Sequence, residues 1–405
     1  MRLGFACAWD PRPELTWSGT SWSLRAALRE RAGAGTVVDV GIDYPPAVRL
    51  ALKAACARRH DGRWVSMWRH SRAARRYGEA AVRRQVRRQD PDVVLQVQDL
   101  AVLDRPYLLF QDLSYDVLIE YAGHPGGLVN FPTLSQDAVR RLRDRQREVY
   151  AGAAGVLAMS RWFADHLVTV TGLPADRVHV VHPGASAFRN ARPAPDGRPD
   201  DRSESDRLHR PRRRLLFVGR DFHRKGGEIA VAALAGLRRE VDPAVTLTVV
   251  GPRVWPMPGP VPEGVRFLGA LPANRVGALY AEHDLFVLPS RFEAFGIVFV
   301  EALSAGLPCV GRRAFAMPEI ITPGRNGDLI GPGPDAARDR GGDGSADADA
   351  ADVAELVAVV ARLLADDAIY RSTAAAVPAV ARHFRWERAA DDVAGIAAEV
   401  ARSAP

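Results

Sequence analysis

Lysine is almost missing from this chain. Of 55 lysines and arginines only Lys53 and Lys225 are lysines, so arginine serves nearly everywhere a cation is needed. A lysine kept beside a glycine pair therefore stands out. Cysteine is scarce too. Cys7, Cys56 and Cys309 give no even framework and no metal-type spacing, which fits a reducing, cytoplasmic setting, with Cys309 expected in a core strand. Aromatic residues make up 7% and are sparse along the basic stretches, which argues against a nucleic-acid partner. No apolar run approaches the ~20 residues of a membrane span. The opening Met1–Ala8 carries one charge and a short apolar run, but Trp9-Asp10-Pro11 follows where a signal peptide would have small residues, so a first strand is expected there.

The 405 residues are enough for two domains, and 47% hydrophobic residues suffice for ordinary cores. Strands are expected at 3–8, 36–40, 93–97, 107–110, 155–159 and 178–181, with helices between them, for example 21–32 and 137–150. Such alternation implies a parallel sheet covered on both faces. From Ala191 the chain turns to Pro, Asp, Arg and Ser, an insertion expected to be flexible. Alternation restarts with strands at 215–219, 245–250, 265–268, 285–288 and 308–310. A second low-complexity stretch, 331–352, reads as a surface loop. The division expected is 1–190, a linker at 191–213, a second domain at 214–383, and a C-terminal helical segment at 384–405.

Two clusters carry the chemistry. In the first, strand residues Leu215–Gly219 lead to Arg220, then Lys225-Gly226-Gly227 opens a helix; a compact ammonium and a planar guanidinium suit a phosphate. In the second, the strand Asp284–Leu288 runs through Pro289-Ser290 into Arg291-Phe-Glu-Ala-Phe-Gly-Ile-Val-Phe-Val-Glu301. This places one acid, Glu293, on a turn and a second, Glu301, on the following helix. A turn acid can hold sugar hydroxyls and a helix acid a ribose diol, while the helix N-terminus between them faces a diphosphate. The plainer alternatives are solvated turn cations and helix-capping or surface acids. A two-carboxylate glycosidase fits less well, since its acid and base would flank the bond instead of sharing one loop and helix.

With Val218-Gly-Arg220, Lys225-Gly226, Val265–Gly269, Asp284–Ser290, the E-x7-E pair Glu293 and Glu301, Pro318–Ile321 and Asn326–Ile330, the chain resembles a retaining glycosyltransferase of the family 4 type. The resemblance is close over 215–330 and weak before Val156. It implies a GT-B α/β fold, two Rossmann-like domains facing each other across a cleft, with the acceptor in the N-terminal half and the donor in the C-terminal half, and a helix at 384–405 that crosses back to the N-terminal domain; a cap on the second domain is the other reading of that helix. It implies hexosyl transfer from a nucleotide diphosphate sugar to an acceptor hydroxyl on a glycan, glycolipid or small molecule, with no cofactor and no metal. The alternatives are a non-catalytic sugar-nucleotide-binding partner and a GT-B epimerase.

The resemblance assigns Glu293 to the donor sugar, Glu301 to the ribose, Arg220 and Lys225 to the diphosphate, and the amides of Phe295, Gly296 and Ile297 to diphosphate or sugar. Retention is implied by the family alone. Trp17-Ser-Gly19-Thr20 resembles the family's glycine loop at the donor phosphate; an ordinary turn is the other reading. Where relatives carry a histidine, this chain has Gln111 and Asp112. Asp112 is the acceptor-side candidate, with His124 held in reserve. Two D-x-D spacings, Asp90/Asp92 and Asp347/Asp349, are read as a helix stop and as loop residues, not metal ligands. Arginines 69, 72, 76, 83 and 87 project onto one helix face. They suit a solvated face, peripheral contact with an anionic membrane, or nucleic acid; the net charge of +7 permits the second without establishing it.

Overall fold

The computed structural model describes every residue except 34, 61, 123–130, 132, 186–209, 333–345, 404 and 405, and omits the side chains of 346–348. The chain forms two units. One gathers Met1–Gly123, Gly127–Gly184 and Arg385–Pro405; the other is built on Ala185–Phe384.

The first unit holds β1 (Leu3–Ala6), α1 (Thr20–Ala32), β2 (Val37–Asp39), α2 (Pro46–Ala55), β3 (Ala57–His60), β4 (Arg63–Ser66), α3 (Arg72–Gln89), β5 (Val93–Val97), β6 (Tyr107–Gln111), α4 (Tyr115–Glu120), α5 (Gln136–Gly152), β7 (Gly155–Ala158), α6 (Arg161–Thr169) and β8 (Val178–Val180). Its parallel sheet runs β2-β1-β5-β6-β7-β8. Strands β1, β5, β6 and β7 are buried throughout, as expected for strands covered by helices on both faces. Serines set several helix starts. The hydroxyls of Ser71, Ser114, Ser135 and Ser160 accept from the amides of Ala74, Val117, Ala138 and Phe163, satisfying donors that a helix's first turn leaves open.

The second unit holds β9 (Arg214–Val218), α7 (Gly227–Glu240), β10 (Thr246–Val250), β11 (Val265–Gly269), α8 (Ala273–Glu282), β12 (Leu285–Val287), α9 (Ile297–Ser304), β13 (Cys309–Arg312), α10 (Met317–Ile320), β14 (Gly327–Ile330), α11 (Ala346–Ala365) and α12 (Asp367–His383). Its sheet is parallel in the order β11-β10-β9-β12-β13-β14. The order reverses between β9 and β12, the switch point at whose carboxyl edge open α/β sheets bind ligands. Cys309 is buried in β13, and burial raises its thiol pKa well above the ordinary value.

Several expectations need revision. The strand expected at 3–8 ends at Ala6, with Ala8 making only a bridge to Ile42. The hairpin β3–β4 and helix α2 were not expected. The low-complexity stretch 331–352 is not loop throughout, because α11 begins at Ala346. Most of the 191–213 linker lies outside the described residues. The last helix, α13 (Trp386–Ser403), needs no such revision and groups with the first unit: it buries Ala389, Val393 and Ala397, packs on α1, and Asp391 accepts a bidentate pair from Arg31 at 2.6 Å. The arginine stripe is broken as well. Arg69 precedes α3, bound to Asp10 at 2.5 Å and to the Ala8 carbonyl at 3.2 Å, and Arg83 donates to the Val102 carbonyl. Only Arg72, Arg76 and Arg87 of the five are exposed.

Candidate functional site

In the second unit, the loops after β9 and β12 are stitched together at the switch point. The Arg291 amide donates to the Arg224 carbonyl at 2.9 Å, and the Arg224 guanidinium to the Phe292 carbonyl at 3.0 Å. Gly226 has φ +71, and a Cβ there would meet the Pro289 carbonyl oxygen at 2.2 Å, so no side chain fits between the loops. This close approach joins Lys225 to Glu293: the ammonium donates to the Glu293 carboxylate. Glu293 is 7% exposed. Burial lowers the lysine pKa, and Glu293 opposes that shift. Arg220, at the end of β9, is exposed and has no side-chain partner among the described residues.

Helix α9 opens on Gly296, at φ +90, where a Cβ would meet the Phe299 ring at 2.7 Å. No side chain caps this first turn, which leaves helix-end amides and the positive end of the dipole available to an anion. Phe295 is buried with its ring edge against Phe384, while Ile297 is the first helical residue. Glu301, 7% exposed, sits on the second turn and accepts from the Tyr280 hydroxyl at 3.2 Å. That tyrosine is a contributor the sequence reading missed.

In the first unit, Gly19 caps α1 at φ +87 after two further left-handed residues, Trp17 (φ +49) and Ser18 (φ +57). Three such residues in succession hold local strain of roughly 1–3 kcal/mol per non-glycine position. A cavity of about 310 Å³ lies at the carboxyl edge of β1, β5 and β6. Asp112 lines it, but so do groups not singled out from sequence: Arg75, Asp99, His70, Tyr115 and Gln146. The Asp99 carboxylate accepts from the Gln146 amide at 3.0 Å and the Gln111 amide at 3.3 Å, and among the described residues no cation pairs with it. Burial pushes its pKa up to about 6, against the pull of the Gln146 hydrogen bond, its own backbone amide, Arg75 and Arg145. Arg75 has a buried Nε with no partner among the described residues. His70 is held down to about 4 by burial and by Arg69 and Arg75, so it is neutral at pH 7, with Nδ1 3.1 Å from the Tyr115 hydroxyl. Gln98, at φ +68, turns the chain so that Asp99 enters this edge; a polar pair directly after a buried strand was the available signal.

The structure thus brings Lys225 and Glu293 into contact, places Arg220 and Glu301 in the same unit, and puts Gly19 and Asp112 in the other. His124 lies outside the described residues. Asp90 pairs with Arg105 and Asp92 accepts from the Arg2 amide; Asp349 pairs with Arg291 at 2.8 Å.

Two parallel Rossmann-like sheets, each with its charged groups at the strand carboxyl ends, define the GT-B fold class. Residues 212–366 match the family described as glycosyl transferases group 1. The chain is similar to the D-inositol 3-phosphate glycosyltransferase of Xylanimonas cellulosilytica, 28% identical over 312 residues that cover 72% of this chain and 68% of the relative. It is also similar to the GDP-mannose-dependent alpha-(1-6)-phosphatidylinositol monomannoside mannosyltransferase of Mycolicibacterium smegmatis, 29% identical over 51% of this chain and 55% of that protein. Among solved structures, the sucrose-phosphate synthase of Thermosynechococcus elongatus superposes with a TM-score of 0.70 over the whole of both chains at 16% identity, a likeness of fold.

Proposed function

We propose that the protein is a retaining glycosyltransferase of the family 4 type, moving a hexosyl group from a nucleotide diphosphate sugar to an acceptor hydroxyl. The observation that carries this is the contact between Lys225 and Glu293 at the β9/β12 switch point, beside the uncapped N-terminus of α9. In this reading Arg220, Lys225 and the α9 amides at Gly296 and Ile297 neutralise the diphosphate without a metal or cofactor. Glu293 takes donor-sugar hydroxyls and Glu301, steadied by Tyr280, takes the ribose diol. The α1 N-terminus at Gly19 supplies a second anion-facing helix end. The acceptor oxygen attacks the anomeric carbon on the face from which the diphosphate departs. The carbon–oxygen bond to phosphate breaks, and the acceptor proton passes to the leaving phosphate oxygen. Negative charge grows on that phosphate as the bond breaks, so the cations stabilise the transition state more than the ground state.

The first-unit cavity is the acceptor site in this reading, with Asp99 and Asp112 accepting from acceptor hydroxyls and Arg75 offering its guanidinium. Its lining matches a polyhydroxylated molecule, because an apolar ligand would leave the buried Arg75 Nε without a partner and desolvate the Asp99 carboxylate further. The relatives named above act on inositol phosphate and phosphatidylinositol mannoside acceptors by their names, which supports a polyol acceptor here. The three free cysteines suit a cytoplasmic enzyme.

The test is a thermal-shift screen of UDP-, GDP-, ADP- and TDP-linked sugars, followed by an assay of nucleoside diphosphate release. Stabilisation by one class with diphosphate release is expected. Conversion of the donor sugar without release would make the protein an epimerase, and binding without any turnover would make it a non-catalytic partner; either result overturns the proposal.

A further inference from the structure

The first unit carries an apolar helix face that none of its described residues covers. Helix α2 has no buried residue, although it is amphipathic. Val48 and Leu52 are half-buried and hold it to the unit, while Ala47, Leu50, Ala51 and Ala54 are all exposed. These four stand at i, i+3, i+4 and i+7, one stripe along the helix. Leu50 is 69% exposed. The hairpin β3–β4 follows directly and stands apart from the main sheet. Its Ser66 hydroxyl donates to the Lys53 carbonyl at 2.8 Å, so the Ser66 face of the hairpin looks toward the end of α2. Trp64, two residues earlier on the same face, is 75% exposed, with Arg59 directly across the ladder from it.

Charge selects the occupant. Between Pro45 and Ser66 stand Arg49, Lys53, Arg58, Arg59 and Arg63 against the single acid Asp61, a net +4 within a chain of +7. Among the described side chains of this segment none of those five cations is in an ion pair, and the only side-chain hydrogen bonds from them run from Arg58 to the Ala55 and Ala57 carbonyls. An apolar stripe of small residues, one leucine and one indole, rimmed by arginines, matches the boundary of an anionic lipid layer. The stripe and the indole enter the headgroup region, and the cations remain at the phosphates. A nucleic acid would engage the arginines but leave the stripe wet.

We propose that α2 and the β3–β4 hairpin form a docking surface for an anionic lipid bilayer. The surface is separate from the exposed arginines of α3 and does not depend on the glycosyltransferase reading. Each cation near such a surface strengthens association by about fivefold, so the lipid preference should be steep.

The experiment is co-sedimentation of the full chain with vesicles of phosphatidylcholine alone and of phosphatidylcholine with one-third phosphatidylglycerol. Binding to the anionic vesicles only is expected, weakened at least tenfold by the double substitution Leu50→Glu with Trp64→Glu. The triple substitution Arg58→Ser, Arg59→Ser, Arg63→Ser should reduce it as strongly. Arg72→Ser with Arg76→Ser on α3 should leave it unchanged. All these side chains are exposed, so the melting temperature of each variant should match the parent, and a match rules out unfolding as the cause. The proposal is overturned if the parent ignores anionic vesicles, or if the Leu50/Trp64 variant binds as well as the parent. It is equally overturned if sedimentation velocity without lipid shows a dimer that the same variant abolishes, or if a DNA duplex is bound and the Leu50/Trp64 variant loses it.

Discussion

Arg220 and Lys225 are both assigned to the donor diphosphate, yet the structure gives them opposite relations to stability. Arg220 is exposed and makes no described side-chain contact, so Arg220→Met removes nothing that holds the fold. If its guanidinium meets the diphosphate, the loss is one charge-assisted hydrogen-bonding group, about 1.5–3 kcal/mol. That corresponds to a fall of roughly 10- to 150-fold in donor kcat/KM, with no change in Tm. Lys225→Met leaves Glu293 buried without its cation. Removing one partner of a buried pair costs about 3–5 kcal/mol. The two side chains keep 12% and 10% of their surface, so about 3 kcal/mol is the appropriate end. For a domain of 150–250 residues that lowers Tm by about 6–12 °C. The assay is initial-rate release of nucleoside diphosphate at saturating acceptor, alongside calorimetric unfolding. An Arg220→Met enzyme with unchanged donor kcat/KM refutes its assignment. An Arg220→Met protein that melts as early as Lys225→Met refutes the separation of the two roles.

Glu301→Ala should abolish nucleotide-sugar binding in isothermal titration and lower stability by about 1–3 kcal/mol, because it takes the carboxylate from the buried Tyr280 hydroxyl; unchanged titration would count against the ribose role. At Asp99 the proton favours the folded form. Its pKa is about 6 when folded and about 4 when unfolded, so this residue's contribution to stability should grow as pH falls from about 6 toward 4. Acceptor binding should move the other way, with acceptor KM rising as pH falls through about 6 because a protonated Asp99 loses an acceptor lone pair. Asp99→Asn should remove both inflections, and an unaltered KM profile in that variant would refute the proposed contact between Asp99 and the acceptor.

The second unit was far more legible in the sequence than the first. Its strands are near-continuous apolar runs such as Leu215–Val218 and Leu285–Val287, bounded by glycine, proline or charge, and its polar cluster is local: Glu293, Gly296 and Glu301 fall within nine residues. The first-unit cavity is not local. Arg75 comes from α3, Asp99 from the end of β5, Tyr115 from α4 and Gln146 from α5, and only the sheet order β1-β5-β6 brings them together. Helix α2 escaped although its i, i+3, i+4, i+7 stripe stands in the sequence, because three of its four residues are alanine and mark an apolar face only weakly. The β3–β4 hairpin escaped because its arginines supply no alternation of apolar and polar residues. The projected stripe of arginines assumed one helix from Arg69 onward, whereas Ser71 caps α3 and leaves Arg69 in a preceding turn, tied to Asp10.

The proposed donor site keeps its lysine bound to its glutamate, which poses a physical question, since a diphosphate would compete for the same ammonium. Burial alone would drive Lys225 toward its neutral form, and Glu293 works against that shift. The pair therefore preserves a positive charge in a place where an isolated lysine would tend to lose it. A sugar hydroxyl that donates to Glu293 then shares the carboxylate's lone pairs, and the ammonium, with three donors, can turn part of its hydrogen bonding to phosphate. Glu293→Gln separates these effects. It keeps the shape and the hydrogen-bonding capacity of the side chain but removes the charge that sustains Lys225. The lysine pKa should fall further, so donor KM in this variant should rise as pH is raised from 7 to 9, whereas the parent should change less over that range. The measurement is donor KM across that interval at fixed ionic strength. A variant whose profile parallels the parent's would show that Lys225 holds its charge without Glu293, and that the contact between them serves only to position the glutamate.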